Sequence, residues 1–203
     1  MAAADLYLRP GEAIALTKVL IIAPRNQLGS AYRTTRVLLH PWSHGRASRA
    51  GQFNDSVLLD SKDRPWMGDL MLSWKRSKVP YQLLATFTMS EWGAEFKQCC
   101  EILGLPPCHP YVLRHSGPSD DFLRNNRSMT QIKRRGRWSQ DQTVRKYEKV
   151  ARSLAQTSQW PVSLFDHLQF CEKHIADILN LRRVASIYQG PIPRGRVTGA
   201  RRR

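Results

Sequence analysis

The chain lacks any uninterrupted apolar run of 18 residues, which excludes a membrane-spanning helix of ordinary length. The short apolar stretch from Val19 to Ala23 is too brief and too far into the chain to act as a secretory signal. Cysteine is scarce. The four present (Cys99, Cys100, Cys108 and Cys171) include no Cys-x-x-Cys pair and no spacing typical of a disulfide framework. A reducing, intracellular setting is therefore expected. Adjacent cysteines on a helix point in different directions, so Cys99, Cys100, Cys108, His109 and His115 are not expected to form a zinc set. No internal repeat is visible. Acids are also scarce: 16 Asp and Glu stand against 32 Lys and Arg, a net charge of +16. The sequence pI is near 10.4, so the natural counterpart is a polyanion.

What is present is concentrated. Between Arg124 and Arg152 lie ten basic residues and two acids, half of the net charge in under a sixth of the chain. Such a block suits tracking along a phosphate backbone. It is equally the composition of a solvated helical face or a basic ribosomal-type surface. The last residues, Gly190 to Arg203, hold three glycines, two prolines, five arginines and no acid. They cannot bury a core and are expected to be a disordered basic tail.

The hydrophobic pattern predicts an α+β fold, mainly helical, with a small three-stranded antiparallel sheet. Pro10 and Glu12 open a short helix running to Lys18. Val19–Ile22, Val37–Leu39 and Val57–Leu59 are short, aliphatic and bounded by turn residues, which reads as three strands. Helices are predicted over 65–76, 90–103, 113–123, 130–135, 140–152 and 161–181, with Ser90 as the cap of the second. Leu164, Phe165, Leu168, Cys171, Ile175 and Ile178 form one stripe along the last.

One stretch carries chemistry. Residues 111–147 place Arg114 ahead of Trp138, and Trp138 nine residues before Tyr147, inside the basic block. A guanidinium fork grips phosphate, an indole N–H adds a donor, and a phenol can attack phosphorus. On these residues the segment resembles the second conserved box of the tyrosine recombinases, or phage integrases. That family carries an Arg, a Lys, a His-x-x-Arg, a His or Trp, and a Tyr nucleophile. Here Arg114 falls on the Arg of His-x-x-Arg, followed by His115. Trp138 falls on the His-or-Trp position and Tyr147 on the nucleophile. The first Arg corresponds to Arg9, in the Arg-x-x-Glu of Arg9–Glu12 at a helix start. Two positions depart from the pattern. Tyr111 replaces the His, and the hairpin turn from Ser43 to Asn54, where the Lys belongs, offers Arg46 and Arg49 instead, with Arg49 the nearer match.

The resemblance covers about residues 5–152, and it implies a catalytic core over 1–152, followed by a C-terminal helix over 153–189 and the tail over 190–203. It implies DNA recombination or integration through a 3′-phosphotyrosyl intermediate, as in a mobile-element integrase, with no cofactor and no metal. Double-stranded DNA is the partner, with self-association on DNA, no membrane and no small-molecule cofactor. The implied location is intracellular and DNA-associated, nuclear in a eukaryote. Arg46, Arg124, Arg127, Lys133, Arg134, Arg135, Arg137 and Lys146 are the expected DNA contacts. Such enzymes usually carry a helical DNA-clamping domain ahead of the core. Only a few residues precede Arg9, so that half is expected to be missing or supplied elsewhere. Two alternatives stay open: a decayed copy that binds DNA without cutting it, and a basic helical RNA-binding or ribosome-associated protein.

Overall fold

A computed structural model describes residues 1–45, 53–148, 155 and 157–179. The chain forms two compact units. One comprises Met1–Trp92 with Pro110–Glu148, and the other Gly93–His109 with the chain from Lys149 onward. The first unit is therefore discontinuous. The fold is α+β and mainly helical, with a small three-stranded antiparallel sheet, as the hydrophobic pattern predicts.

Strands β1 (Ile21–Ile22), β2 (Arg36–Leu39) and β3 (Asp55–Leu58) lie in that order, each antiparallel to its neighbour. Ile21 faces Val37 and Val37 faces Val57 across the register. These three and Leu39 are buried, while Arg36, Leu38 and Ser56 alternate to the other face. That alternation is what a period of two imposes on a half-buried strand.

The longer helices follow the expected spans to within about two residues, but the first, expected from Pro10 to Lys18, ends at Ile14, and Lys18–Leu20 is a 3₁₀ turn, which leaves β1 only Ile21–Ile22 of the strand expected from Val19. In chain order α1 (Ala2–Asp5), α2 (Pro10–Ile14), α3 (Met67–Arg76) and α4 (Met89–Ile102) come first. Then come α5 (Leu113–Leu123), α6 (Met129–Gly136), α7 (Asp141–Arg145) and α8 (Val162–Leu179). Helix α3 buries Met67, Leu70 and Met71, one stripe at helical spacing. The cap of α4 is Thr88, not Ser90. The Glu91 N–H donates to Thr88 Oγ1 (3.2 Å), and the Thr88 N–H donates to Glu91 Oε2 (2.7 Å). This reciprocal pair satisfies two orphan donors, which Ser90, already inside the helix, cannot do. The helix expected over 140–152 is α7 followed by a single 3₁₀ turn, Lys146–Glu148. Its remaining residues, like the 190–203 tail, lie outside the described residues.

The largest surprise is the N-terminus. Leu6, Tyr7 and Leu8 are completely buried, each contributing about 1.5–3 kcal/mol of apolar burial. Helix α1 lies against α5 so closely that a Cβ on Gly117 would come 2.0 Å from the Ala4 carbonyl oxygen. Only glycine permits that backbone contact. Tyr7 then joins Ile132, Val144 and Tyr147 in one core cluster, edged by Phe122, Met129 and Trp138.

Candidate active site

Arg9 is the N-cap of α2. Its N–H donates to Glu12 Oε2 (2.8 Å), and its Nη1 lies 3.0 Å from Glu12 Oε1. The same carboxylate takes Arg137 Nη2 at 2.6 Å and His40 Nε2 at 3.3 Å, with Arg114 Nη1 at 4.0 Å. Burial pushes the Glu12 pKa up, but Arg137, Arg9 and His40 more than reverse it, so it lies below the ordinary glutamate range. Glu12 is the common anion of three guanidinium groups.

Arg114, the second residue of α5, has a side chain only 1% exposed. Its Nη1 donates to the Tyr7 carbonyl and its Nη2 to the Gly136 carbonyl at 2.7 Å. Burial, with repulsion from Arg137 and Arg9, lowers its pKa to about 10. The guanidinium lies over the Trp138 ring, 5.0 Å from the centroid. Trp138 gets there by a sharp turn. Helix α6 ends at Gly136, and Arg137 takes the left-handed conformation (φ 57°, ψ 40°), which folds the indole back over the helix end. A Cβ at Gly136 would sit 1.9 Å from the indole ring.

Trp138 packs at a tilt against Tyr147, with centroids 5.4 Å apart. Tyr147, in the 3₁₀ turn after α7, is 6% exposed. Its hydroxyl lies 2.6 Å from His115 Nδ1. Burial, then Lys146 and Arg114, push the His115 pKa down to about 4, so the imidazole is neutral at neutral pH. In the tautomer with Nδ1 unprotonated it accepts the phenol proton. Burial raises the Tyr147 pKa, with the Arg114 charge opposing it. Lys146 Nζ stands 5.2 Å from the Tyr147 ring centroid, and burial lowers its pKa, aided by Arg114.

Arg9, Arg114, Trp138 and Tyr147 thus form one chain of contacts, joined at Glu12. Tyr111 lies in the 3₁₀ turn preceding α5. It is 44% exposed, and its ring meets His115 edge-on at 5.1 Å. It is near enough to both Arg114 and Tyr147 to act on their pKa values, raising each. Arg46 and Arg49 lie outside the described residues.

The expected DNA contacts split into two groups. Asp5, Asp60, Asp120 and Asp121 alternate with Arg64, Arg124, Arg127 and Arg135 in an ionic lattice. Arg127 reaches Asp60 at 2.6 Å and Asp121 at 2.9 Å. Arg135 reaches Asp60 at 2.9 Å and the Asp5 carbonyl at 2.8 Å. Arg64 spans Asp5 and Asp120, and Arg124 pairs with Asp120 at 2.7 Å. Tyr7 completes the lattice by donating its hydroxyl proton to Asp121. Arg135 and Arg137 have side chains 6% and 7% exposed, and Lys133 pairs with Asp141 at 2.5 Å. Arg134 is exposed and forms no ion pair among the described residues; Lys146 is exposed beside Tyr147.

Sequence reasoning passed over Tyr7, and named Glu12 and His115 only as neighbours of the motif arginines, without a role in the site. Tyr7 carries no motif signal. Glu12 reads as an ordinary helix-start acid, although its place at the third helical position makes it the partner of Arg9. His115 follows the motif arginine, and only the fold brings it to Tyr147. Among the described residues, no group of three His, Cys, Asp or Glu side chains could hold a metal ion, and no helix is long and apolar enough to cross a membrane. No protein-family model matches the chain, and neither a curated protein nor a solved structure matches it significantly.

Proposed function

We propose that the protein breaks and rejoins DNA through a 3′-phosphotyrosyl intermediate, in the manner of the tyrosine recombinases its motif resembles. The observation that carries this reading is the 2.6 Å contact between the Tyr147 hydroxyl and a neutral His115, at the end of the Arg9–Glu12–Arg114–Trp138 chain. His115 takes the phenol proton as Tyr147 Oη bonds to phosphorus. The bond from phosphorus to the 5′-oxygen breaks, and that oxygen needs a proton. Arginine cannot supply one, because it is effectively never deprotonated. Lys146, with its lowered pKa beside the nucleophile, can. In this reading Arg9 meets the charge that grows on the non-bridging oxygens, and Arg114 joins it on release from the Tyr7 and Gly136 carbonyls. Attack by another 5′-hydroxyl reverses the step without metal or nucleotide hydrolysis.

A second reading is a DNA-binding protein that no longer cuts. The closed state of the site favours it: Arg114 is fully buried, and both of its terminal nitrogens are engaged by backbone carbonyls. A nicked duplex that loses its short leaving strand traps the covalent adduct. The strand-transfer reading expects an adduct with the unaltered chain and none with Tyr147→Phe, at equal DNA affinity. DNA binding with no adduct in either chain establishes the second reading. A 5′-bridging phosphorothiolate needs no acid to leave, so it should restore cleavage to Lys146→Met.

A further inference from the structure

Helix α4 ends in a turn that brings two thiols together. The Leu105 N–H donates to the Cys100 carbonyl (2.8 Å) and the Gly104 N–H to the Glu101 carbonyl (3.1 Å). Gly104 is left-handed (φ 68°), which completes a Schellman end to the helix. Pro106 and Pro107 follow, each with its φ set by the ring, so the chain leaves the turn along a restricted course. It carries Cys108 back to Cys100, and the two sulfurs lie 3.4 Å apart. Cys100 is 5% exposed, whereas Cys108 is open to solvent. Cys99, beside Cys100 on the helix, is also exposed but sits about 100° away round the axis. A buried sulfur and an exposed one are thus held in contact by a hydrogen-bonded turn.

We infer that Cys100 and Cys108 form a redox-responsive dithiol that closes to an intramolecular disulfide on meeting a small disulfide oxidant such as oxidised glutathione. The exposed Cys108 reacts first. Its thiolate attacks one sulfur of oxidised glutathione, forming a mixed disulfide and expelling one glutathione thiolate. The Cys100 thiolate then attacks the Cys108 sulfur and expels the second. The two protons given up by the protein pass through solvent to the two glutathione thiolates. The protein pair loses two electrons, and oxidised glutathione gains them. Burial, then the Cys100 sulfur, pushes the Cys108 thiol up to about 11, so the reduced pair is not stabilised as a thiolate at neutral pH. This favours the disulfide at equilibrium while making its formation slow. The bond closes a ring around residues 101–107, just ahead of Pro110, where the chain returns to the first unit. Neither cysteine belongs to the site built on Tyr147, so the pair does not rest on the strand-transfer reading.

The test exposes the reduced full chain to oxidised glutathione and maps its peptides by mass spectrometry without reduction. The unaltered protein should give one linked pair, Cys100 to Cys108, which dithiothreitol opens again. A positioned thiol outcompetes a free one, so the linked form should exceed the glutathione adduct at Cys108 by roughly tenfold or more. A chain carrying Cys99→Ser and Cys171→Ser keeps only the two thiols in question, and its mass should fall by two hydrogens. Cys108→Ala, at an exposed position, should abolish the link and leave Cys100 unmodified. A lasting glutathione adduct at Cys108, a Cys99–Cys108 link in the unaltered chain, or two free thiols under excess oxidised glutathione overturns the assignment. Peptide mapping of the unaltered chain decides the question even where a variant fails to fold. None of these readouts involves DNA, so they fail independently of the strand-transfer reading.

Discussion

Two sets of arginines in the same basic block behave oppositely. Arg127, Arg135 and Arg137 point into the fold, each held by a carboxylate at 2.6–2.9 Å. Arg134, between Arg127 and Arg135, and Arg145, eight residues after Arg137, are exposed and form no ion pair among the described residues. Formal charge treats the five alike. The difference shows that a basic run measures two things at once: cations offered to a partner, and cations already matched to the protein's own acids. A buried cation deprived of its acid becomes a liability, whereas an exposed one loses almost nothing.

The strongest way to break this comparison is Glu12→Ala. It leaves Arg9, Arg114 and Arg137 facing one another without their common anion. Removing one partner of a buried pair costs about 3–5 kcal/mol, so the denaturant midpoint should fall steeply. A loss under about 1 kcal/mol, the size of an exposed pair, would show that the cluster is not a structural centre.

Acid should sharpen the same contrast. An unfolded imidazole protonates near 6.5, but His115 in the fold does so only near 4. Between those values the unfolded chain binds the extra proton, so stability falls as the pH drops from about 6.5 to about 4. Glu12 adds to the loss at lower pH, because its folded pKa lies below the ordinary 4.5. Thermal melts across this window should show the decline, and His115→Gln should flatten its upper part. An identical slope in both chains would assign the acid sensitivity elsewhere.

The smallest effect is expected at the exposed arginines. Arg134→Ala or Arg145→Ala should change stability by less than about 0.5 kcal/mol. Each should reduce the slope of log affinity for DNA against log salt by about 0.9, the signature of one phosphate contact. Arg127→Ala should do the reverse, lowering stability while leaving the salt slope of the folded protein in place. A salt slope that responds equally to Arg127 and Arg134 would dissolve the distinction.

The sheet and most helices were legible in sequence because they rest on local periodicity. Val37 and Leu39 alternate with Arg36 and Leu38, and the Leu113–Leu123 helix has the bounds its pattern predicts. Arg114, Trp138 and Tyr147 could be named from residue type and spacing, and Arg9 through the resemblance alone; the fold brings the four into one contact chain. The partners that define their chemistry were not legible. Tyr7 reads as one aromatic in a short leader, yet it supplies a carbonyl to Arg114 and a ring to Trp138. The inward turn of Arg135 and Arg137 depends on acids at positions 5, 12 and 60, which no local window contains. Tyr111 falls on a motif position, and the fold sets its ring against His115, the partner of the Tyr147 hydroxyl. Long-range pairing, rather than composition, decides which residues of a basic block remain available to a partner.

That pairing also has a consequence in time. Arg114 bonds to Tyr7 across 107 positions, and Arg135 to Asp5 across 130. A chain emerging at ~5–20 residues per second puts roughly six to 26 seconds between the making of Asp5 and that of Arg135. Through that interval the Asp5 carbonyl lacks its Arg135 donor, and for the first part of it the Asp5 carboxylate also lacks Arg64. Contacts this distant in sequence also close slowly, since loop entropy is lost before they form. The Asp5 and Tyr7 carbonyls therefore wait for donors made more than a hundred residues later.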